Sequence, residues 1–342
     1  MAASPIPRPT ANRTSVEVTA PANPCDGALA RWCERWRFQL DGEVATVAVA
    51  FSGGADSTAL LLAAHQRWPG RVVALHVHHG LQAAADEFER HVRRFCDGQH
   101  IALRVAHARV QVAPGDSTED AARRARYAAL GQMAATCAAA VVFLGQHADD
   151  QAETVVLALS RGAGLPGLAG MAERFEREGM SFARPLLEVP GDALRAWLDE
   201  AGQTCVDDPT NAELRFTRNR IRHRLMPAWA EVFPGHRQAL ARSARHAAQA
   251  QSLLDALADL DLDRVGCPPR IADLQLLARD RQANAVRRWL KRGWAVAPSE
   301  VQLHELLHQI EACRTRGHRI AIRVANGMLV RDGTQLAYTP PI

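Results

Sequence analysis

The first long apolar stretch of the chain is VAVAFSGGADSTALLL, residues 47–62. Its first half is small and β-branched, which predicts a buried strand. Its second half resumes with leucines after two glycines and predicts a buried helix. Strand-like runs recur at 44–51, 71–77, 101–106 and 141–145, with helical patterns at about 57–67, 85–98, 117–138 and 148–161. Strands alternating with helices predict an α/β fold, a parallel sheet with helices on both faces. Beyond it, 175–187 reads as a hairpin ending at a proline, and 190–202 as a short helix closed by Gly202. NAELRFTRNRIRHRLMP, residues 211–227, reads as one basic helix ended by Pro227.

From about residue 236 the pattern changes to a long, alanine-rich amphipathic helix, with shorter helices near 281–292 and 299–313. The tail alternates and turns at Asn326-Gly327 and Asp332-Gly333, which predicts a small β-hairpin or meander. This places a catalytic α/β domain over 26–230 and a smaller, mainly helical domain with a short β-tail over 231–342. Residues 1–25 are rich in Pro, Ala, Ser and Thr without a usable period and read as a disordered extension.

Composition narrows the classes. The 342 residues, 47% of them hydrophobic, suffice for two domains with sizeable cores. There is no secretory h-region and no apolar run long enough to span a bilayer, so a cytoplasmic protein without a membrane partner is expected. The seven cysteines are an odd number without a C-x-x-C pair, which favours reduced thiols over a zinc ribbon or a disulfide frame. The net charge of +4 is uneven: residues 236–342 carry 16 basic and 10 acidic side chains, and the rest of the chain is slightly acidic. A basic back half fits either a polyanionic partner or a solvated basic face.

The candidate chemistry falls at the carboxyl ends of the predicted strands, where ligands bind in such folds. Ser52-Gly53-Gly54-Ala55-Asp56-Ser57 follows the first strand. The lysine of a Walker A loop is missing. Two hydroxyls, several backbone N–H groups and a helix N-terminus make an anion site suited to pyrophosphate. Asp56 would repel a bare phosphate, so it makes sense with a divalent cation between them. The stretch resembles the PP-loop of the N-type ATP pyrophosphatases, which have an adenine nucleotide α-hydrolase-like fold. These enzymes cleave ATP between the α- and β-phosphates, attach AMP to a carbonyl-type oxygen and let a nucleophile displace it.

Four further patches narrow the resemblance. They are His76-Val77-His78-His79-Gly80-Leu81; Glu119 with Ala122-Arg123 and Arg126-Tyr127; Gly145 to Thr154 leading into Arg161-Gly162-Ala163-Gly164; and Asp208-Pro209-Thr210-Asn211 ahead of Arg218 to Arg222. Together, from about residue 45 to the C-terminus, they resemble the bacterial tRNA(Ile)-lysidine synthetase family. The resemblance implies ligation of free L-lysine to C2 of the wobble cytidine of the isoleucine tRNA with a CAU anticodon. It implies ATP and Mg²⁺ as cofactors, and a homodimer is common among relatives.

Under that resemblance Ser52, Gly53, Gly54, Ala55, Asp56, Ser57 and His79 bind ATP, and Asp56 meets Mg²⁺ through phosphate. Asp56, Arg123, His147 and Asp150 are the expected catalytic set. Asp150 and Glu153, i and i+3 on a helix, are expected to hold the lysine ammonium. The same pair serves equally to bind Mg²⁺ or to stabilise a helix N-terminus. Arg123 and Arg126 suit phosphate. His147 suits either proton transfer, a phosphate contact or a structural role. Arg161, Arg215, Arg218, Arg220 and Arg222 are expected on tRNA phosphates, since a helix this basic cannot hide in a core. The alternatives are a PP-loop tRNA thiolase and a catalytically inactive tRNA-binding protein. A zinc reading of His76, His78 and His79 is weaker, because it leaves the SGGADS turn unexplained. The chain departs from the family pattern at His78, Gln82 and Gln146.

Overall fold

In the computed structural model of the protein, residues 22–42, 44–78, 85–108, 118–315 and 317–340 are described. Helix α1 (Pro24–Arg35) precedes β1 (Thr46–Ala50), α2 (Ala55–Arg67), β2 (Val72–His78), α3 (Ala85–Gly98) and β3 (Ala102–His107). Then come α4 (Thr118–Thr136), β4 (Ala139–Phe143), α5 (Ala148–Ser160), α6 (Leu165–Leu168), β5 (Arg174–Arg177), β6 (Met180–Ala183) and α7 (Gly191–Glu200). The strands form one sheet in the order β3-β2-β1-β4-β6-β5, parallel except for the antiparallel edge strand β5.

The central strands are apolar throughout because helices cover both faces. Val47, Val49 and Phe143 point to one face and pack with Trp32 of α1, Leu60 and Leu61 of α2, and Leu194 and Leu198 of α7. Ala48, Val73, Leu75 and Val142 point to the other and pack with Leu130, Met133 and Ala134 of α4. Each fully buried leucine or phenylalanine stabilises the fold by about 1.5–3 kcal/mol. Since the parallel strands all run the same way, their carboxyl ends open at one edge, and the loops after β1, β2 and β4 converge there.

The remaining elements are α8 (Thr217–Arg220), α9 (Met226–Val232), α10 (His236–Val265), α11 (Ile271–Leu274), α12 (Arg279–Trp294), α13 (Glu300–Ala312), β7 (Ala321–Val324), β8 (Gly327–Asp332) and β9 (Gln335–Thr339). The chain divides into two compact units. One runs to Leu157 and from Met171 to Ala241; the other holds Ala158–Gly170 and continues from Arg242. The second unit has its own core, in which Leu274, Val286 and Leu290 pack with Leu306, Ile310 and the antiparallel meander residues Leu329 and Leu336. A capping box at Ser299 and Gln302 starts α13.

Three expectations are corrected. Residues 22–25 do not belong to a disordered extension. Asn23 is buried, its side chain accepts the Cys25 N–H, and its amide donates to the Ala59 carbonyl at 2.9 Å, so it caps α1 and ties it to α2. The basic segment 211–227 is not one helix. A 3₁₀ turn at Pro209–Ala212 is followed by α8, a π turn at Ile221–Leu225 and α9. Pro227 lies in the first turn of α9, directly after the π turn, instead of ending a helix. The division between units falls after Ala241, inside the uninterrupted α10, and not near 230 where composition changes. Residues 1–21 lie outside the described residues.

Candidate active site

The β1–α2 turn forms because Gly53 adopts φ +85°, a conformation that side chains disfavour. A β-carbon there would also lie 3.2 Å from both His91 and Val92 of α3. Gly54 is the N-cap of α2, and its carbonyl accepts from the hydroxyls of Ser57 and Thr58. The hydroxyls of Ser52 and Ser57 stand 3.1 Å apart on one side of the turn. The Gly53 carbonyl accepts the Val206 N–H at 2.9 Å, which ties the segment before Asp208 to this turn.

The turn lines a cavity of about 460 Å³ together with His76, Arg123, Arg126, Gln146, Asp150, Asp208 and Arg218. His76 is buried, and its Nδ1 lies 2.9 Å from the Phe51 carbonyl. Burial holds its pKa below the ordinary value, so it is a neutral bracket between β2 and the turn. Arg123 lies over the Tyr127 ring, 5.3 Å from the centroid, on the α4 side of the cavity. His79 lies outside the described residues.

His147 stands between β4 and α5 as the hub of three carboxylates. Its Nε2 is 3.5 Å from Asp56 and 3.6 Å from Asp150; its Nδ1 is 3.3 Å from Asp149. Burial alone would lower its pKa. The hydrogen bond to Asp149 and the charges of Asp150 and Asp56 outweigh burial and raise it above the ordinary value. Burial pushes the Asp56 carboxyl up, only partly offset by His147. Asp56 Oδ1 is buried without a hydrogen-bond partner among the described residues. An ionised oxygen in that state is costly unless a cation completes it. An oxygen donor beside an anion-binding turn fits a hard divalent ion carried with phosphate.

Asp149 was not among the expected catalytic or binding residues. Its Oδ2 accepts the Gly191 N–H at 2.9 Å and its Oδ1 meets Arg237 at 2.5 Å. Burial opposes its ionisation, but His147, the Gly191 N–H and Arg237 together hold the carboxyl well below the usual range. Gly191 is needed for a steric reason: a β-carbon there would lie 2.7 Å from the His147 ring. Gly191→Ala should therefore displace the imidazole and reduce the rate of ATP cleavage by roughly 10–100-fold. Its melting temperature should change by no more than a few degrees; assays of pyrophosphate release and thermal denaturation would check both.

Two arginines expected on tRNA phosphates turn inward. Arg218 Nε donates to Glu153 Oε2 at 2.9 Å, and Arg222 Nε donates to Glu153 Oε1 at 2.6 Å. Arg222 also reaches Asp150 Oδ1 at 3.3 Å. Glu153 is 1% exposed, so it is the buried partner of two guanidiniums and not an open ammonium receptor. Asp150 is the member of the pair that lines the cavity. Arg218 and Arg222, i and i+4, lie on the same helical face and so reach the same carboxylate. Arg215 and Arg220 stay on the surface, Arg215 over the Phe216 ring and Arg220 on the Thr217 hydroxyl. Arg161 is exposed and falls in the segment that groups with the second unit.

Arg184 was missed. It is 4% exposed and donates to Gln146 Oε1 at 3.0 Å, the Ala172 carbonyl at 2.7 Å and the Tyr127 hydroxyl at 3.2 Å. Because Arg184 holds Oε1, the Gln146 amide nitrogen is left as the free end of that side chain. The available signal was an arginine inside the apolar run SFARPLL.

The turn, the strand order and this cavity define a PP-loop domain, and residues 34–229 match the family model described as "PP-loop domain". Residues 270–335 match the model described as "TilS substrate binding domain". The chain is 56% identical to the tRNA(Ile)-lysidine synthase of Polaromonas naphthalenivorans over 85% of its length and 88% of the relative's. It is 39% identical to that of Bordetella bronchiseptica, covering 89% and 92% of the two chains, and 42% identical to that of Ralstonia nicotianae, where it spans 62% of the relative. The chain belongs to the tRNA(Ile)-lysidine synthase family. Among solved structures, the U34-tRNA thiolase NcsA of Methanococcus maripaludis shares the fold, with a TM-score of 0.52 and 16% identity over 65% of this chain and 79% of that one.

Proposed function

We propose that the protein is an ATP-dependent ligase that joins L-lysine to C2 of the wobble cytidine in the isoleucine tRNA with a CAU anticodon. The observation that carries the reading is that one cavity is lined by the SGGADS turn, by Arg123 and Arg126, and by Asp150. An anion site, a cationic wall and a carboxylate thus face the same space. In the first step the cytidine O2 attacks the α-phosphate and pyrophosphate leaves. In the second the lysine ε-amine attacks C2 and AMP leaves.

Each residue has a role in those steps. Ser52, Ser57 and the backbone N–H groups after Gly53 hold the departing pyrophosphate. Asp56 would hold a Mg²⁺ ion carried in with ATP, and the ion would supply positive charge where the phosphates become more negative. His147, whose pKa three carboxylates raise above the ordinary value, stabilises the same oxygens or returns a proton. Arg123 and Arg126 bind the AMP phosphate. Asp150 receives the lysine ammonium, while Glu153 holds Arg218 and Arg222 in register behind it. Arg161, Arg215 and Arg220 contact the tRNA backbone. We further propose residence in the cytoplasm and a homodimer. No helix among the described residues is long and apolar enough to cross a membrane.

The reading is tested with purified protein, Mg-ATP, labelled lysine and unmodified isoleucine tRNA carrying CAU. Label should enter that tRNA and not the methionine initiator tRNA, with AMP and pyrophosphate released. Pyrophosphate release without lysine incorporation would retain the adenylating step and overturn the choice of nucleophile.

A further inference from the structure

The structure assigns a second cation site, for a transition metal of the Zn²⁺ class, to His78, Glu89 and His107. One ligand atom from each lies within 4.8 Å of the others. His78 ends β2 and His107 ends β3, and the two are register partners on neighbouring strands. Their rings stack with centroids 4.7 Å apart and 23° between planes. His107 Nε2 stands 3.3 Å from Glu89 Oε2. Ligands about 2.0 Å from a tetrahedral zinc are separated by a similar distance. Asp86, one helical turn before Glu89, meets His78 Nε2 at 3.0 Å from outside that cluster of three.

The surroundings are those of a built site. Arg93 donates to Glu89 Oε1 at 2.9 and 2.7 Å, which fixes the carboxylate and leaves Oε2 toward His107. The side chains of His78 and Glu89 are 11% and 15% exposed, whereas His107 is 66% exposed, so the site is closed behind and open to entry. Two imidazoles with carboxylates select zinc-like cations over Mg²⁺ and Ca²⁺, which prefer oxygen alone. The site is separate from the oxygen of Asp56, and because His78 also lines the nucleotide cavity, a bound cation would brace that wall.

Chelator-stripped full-length protein should take up Zn²⁺ in equilibrium dialysis, with histidine nitrogen among its ligands by X-ray absorption. His107→Ala and Glu89→Gln should each weaken that binding by more than the roughly 10–100-fold lost with an outer-shell partner. Circular dichroism of the metal-free variants would establish that they are folded. The proposal is overturned if wild type takes up no Zn²⁺. It is equally overturned if both folded variants bind Zn²⁺ as wild type does, with sulfur ligands from exposed thiols such as Cys205 and Cys267.

Discussion

Asp56→Asn should lower tRNA-dependent pyrophosphate release by on the order of 10³-fold and leave the protein folded. Asp56 Oδ1 is buried without a hydrogen-bond partner among the described residues, and the other oxygen stands 3.5 Å from His147. The stability effect has a definite sign. Burial raises the Asp56 pKa in the folded state, so the folded protein binds this proton more tightly than the unfolded chain does. The ionised carboxylate is therefore a cost above its folded pKa, and Asn removes that cost. The metal-free variant should melt at or above the wild-type temperature at neutral pH.

His147 supplies the companion measurement. Its folded pKa is raised, so the stability it contributes is fully present below the unfolded value and is lost as pH rises through the folded one. Asp56 is one of the charges that raise it. In Asp56→Asn the His147 titration should move to lower pH, which histidine NMR would detect. Near-normal pyrophosphate release by the variant would remove Asp56 from the proposed chemistry. An unmoved His147 titration would remove the charge coupling.

The second large effect is expected at Glu153. Glu153→Ala leaves Arg218 and Arg222 without their shared carboxylate. Removing one partner from a fully buried ion pair costs several kcal/mol. Here both guanidiniums are about a third exposed and Asp150 remains within reach of them, so roughly 2–4 kcal/mol is expected. That corresponds to a fall in melting temperature of roughly 5–10 °C. Released Arg222 would then compete for Asp150, and the apparent KM for lysine should rise far more than that for ATP. Equal effects on both constants would remove Asp150 from the lysine site, and an unchanged melting temperature would contradict the ion-pair geometry.

Much of this was legible because local pattern and local chemistry agreed. The buried strands, the helices between them and the hairpin near 175–187 follow from apolar periodicity, and the anion-binding turn from two glycines between strand and helix. The positions of Asp56, Arg123 and Asp150 around one cavity, with His147 3.5 Å from Asp56, follow from the rule that parallel strands open their loops at one edge. Helix α1 was hidden because it starts inside a Pro- and Ala-rich stretch, and only the buried Asn23 contact with α2 reveals its beginning.

What the sequence by itself determined is the class of fold, the nucleotide-binding turn and the family, since each rests on residues adjacent in the chain or on spacing within one element. What only the tertiary structure decided is pairing between distant residues. Asp149 with Gly191 and Arg237, Gln146 with Arg184, and Glu153 with Arg218 and Arg222 are joined across long sequence separations. An arginine that faces phosphate and one that neutralises a buried carboxylate look alike in sequence. They differ only in which charge the folded chain brings within about 3 Å, and that depends on the exact path of the turns between helices.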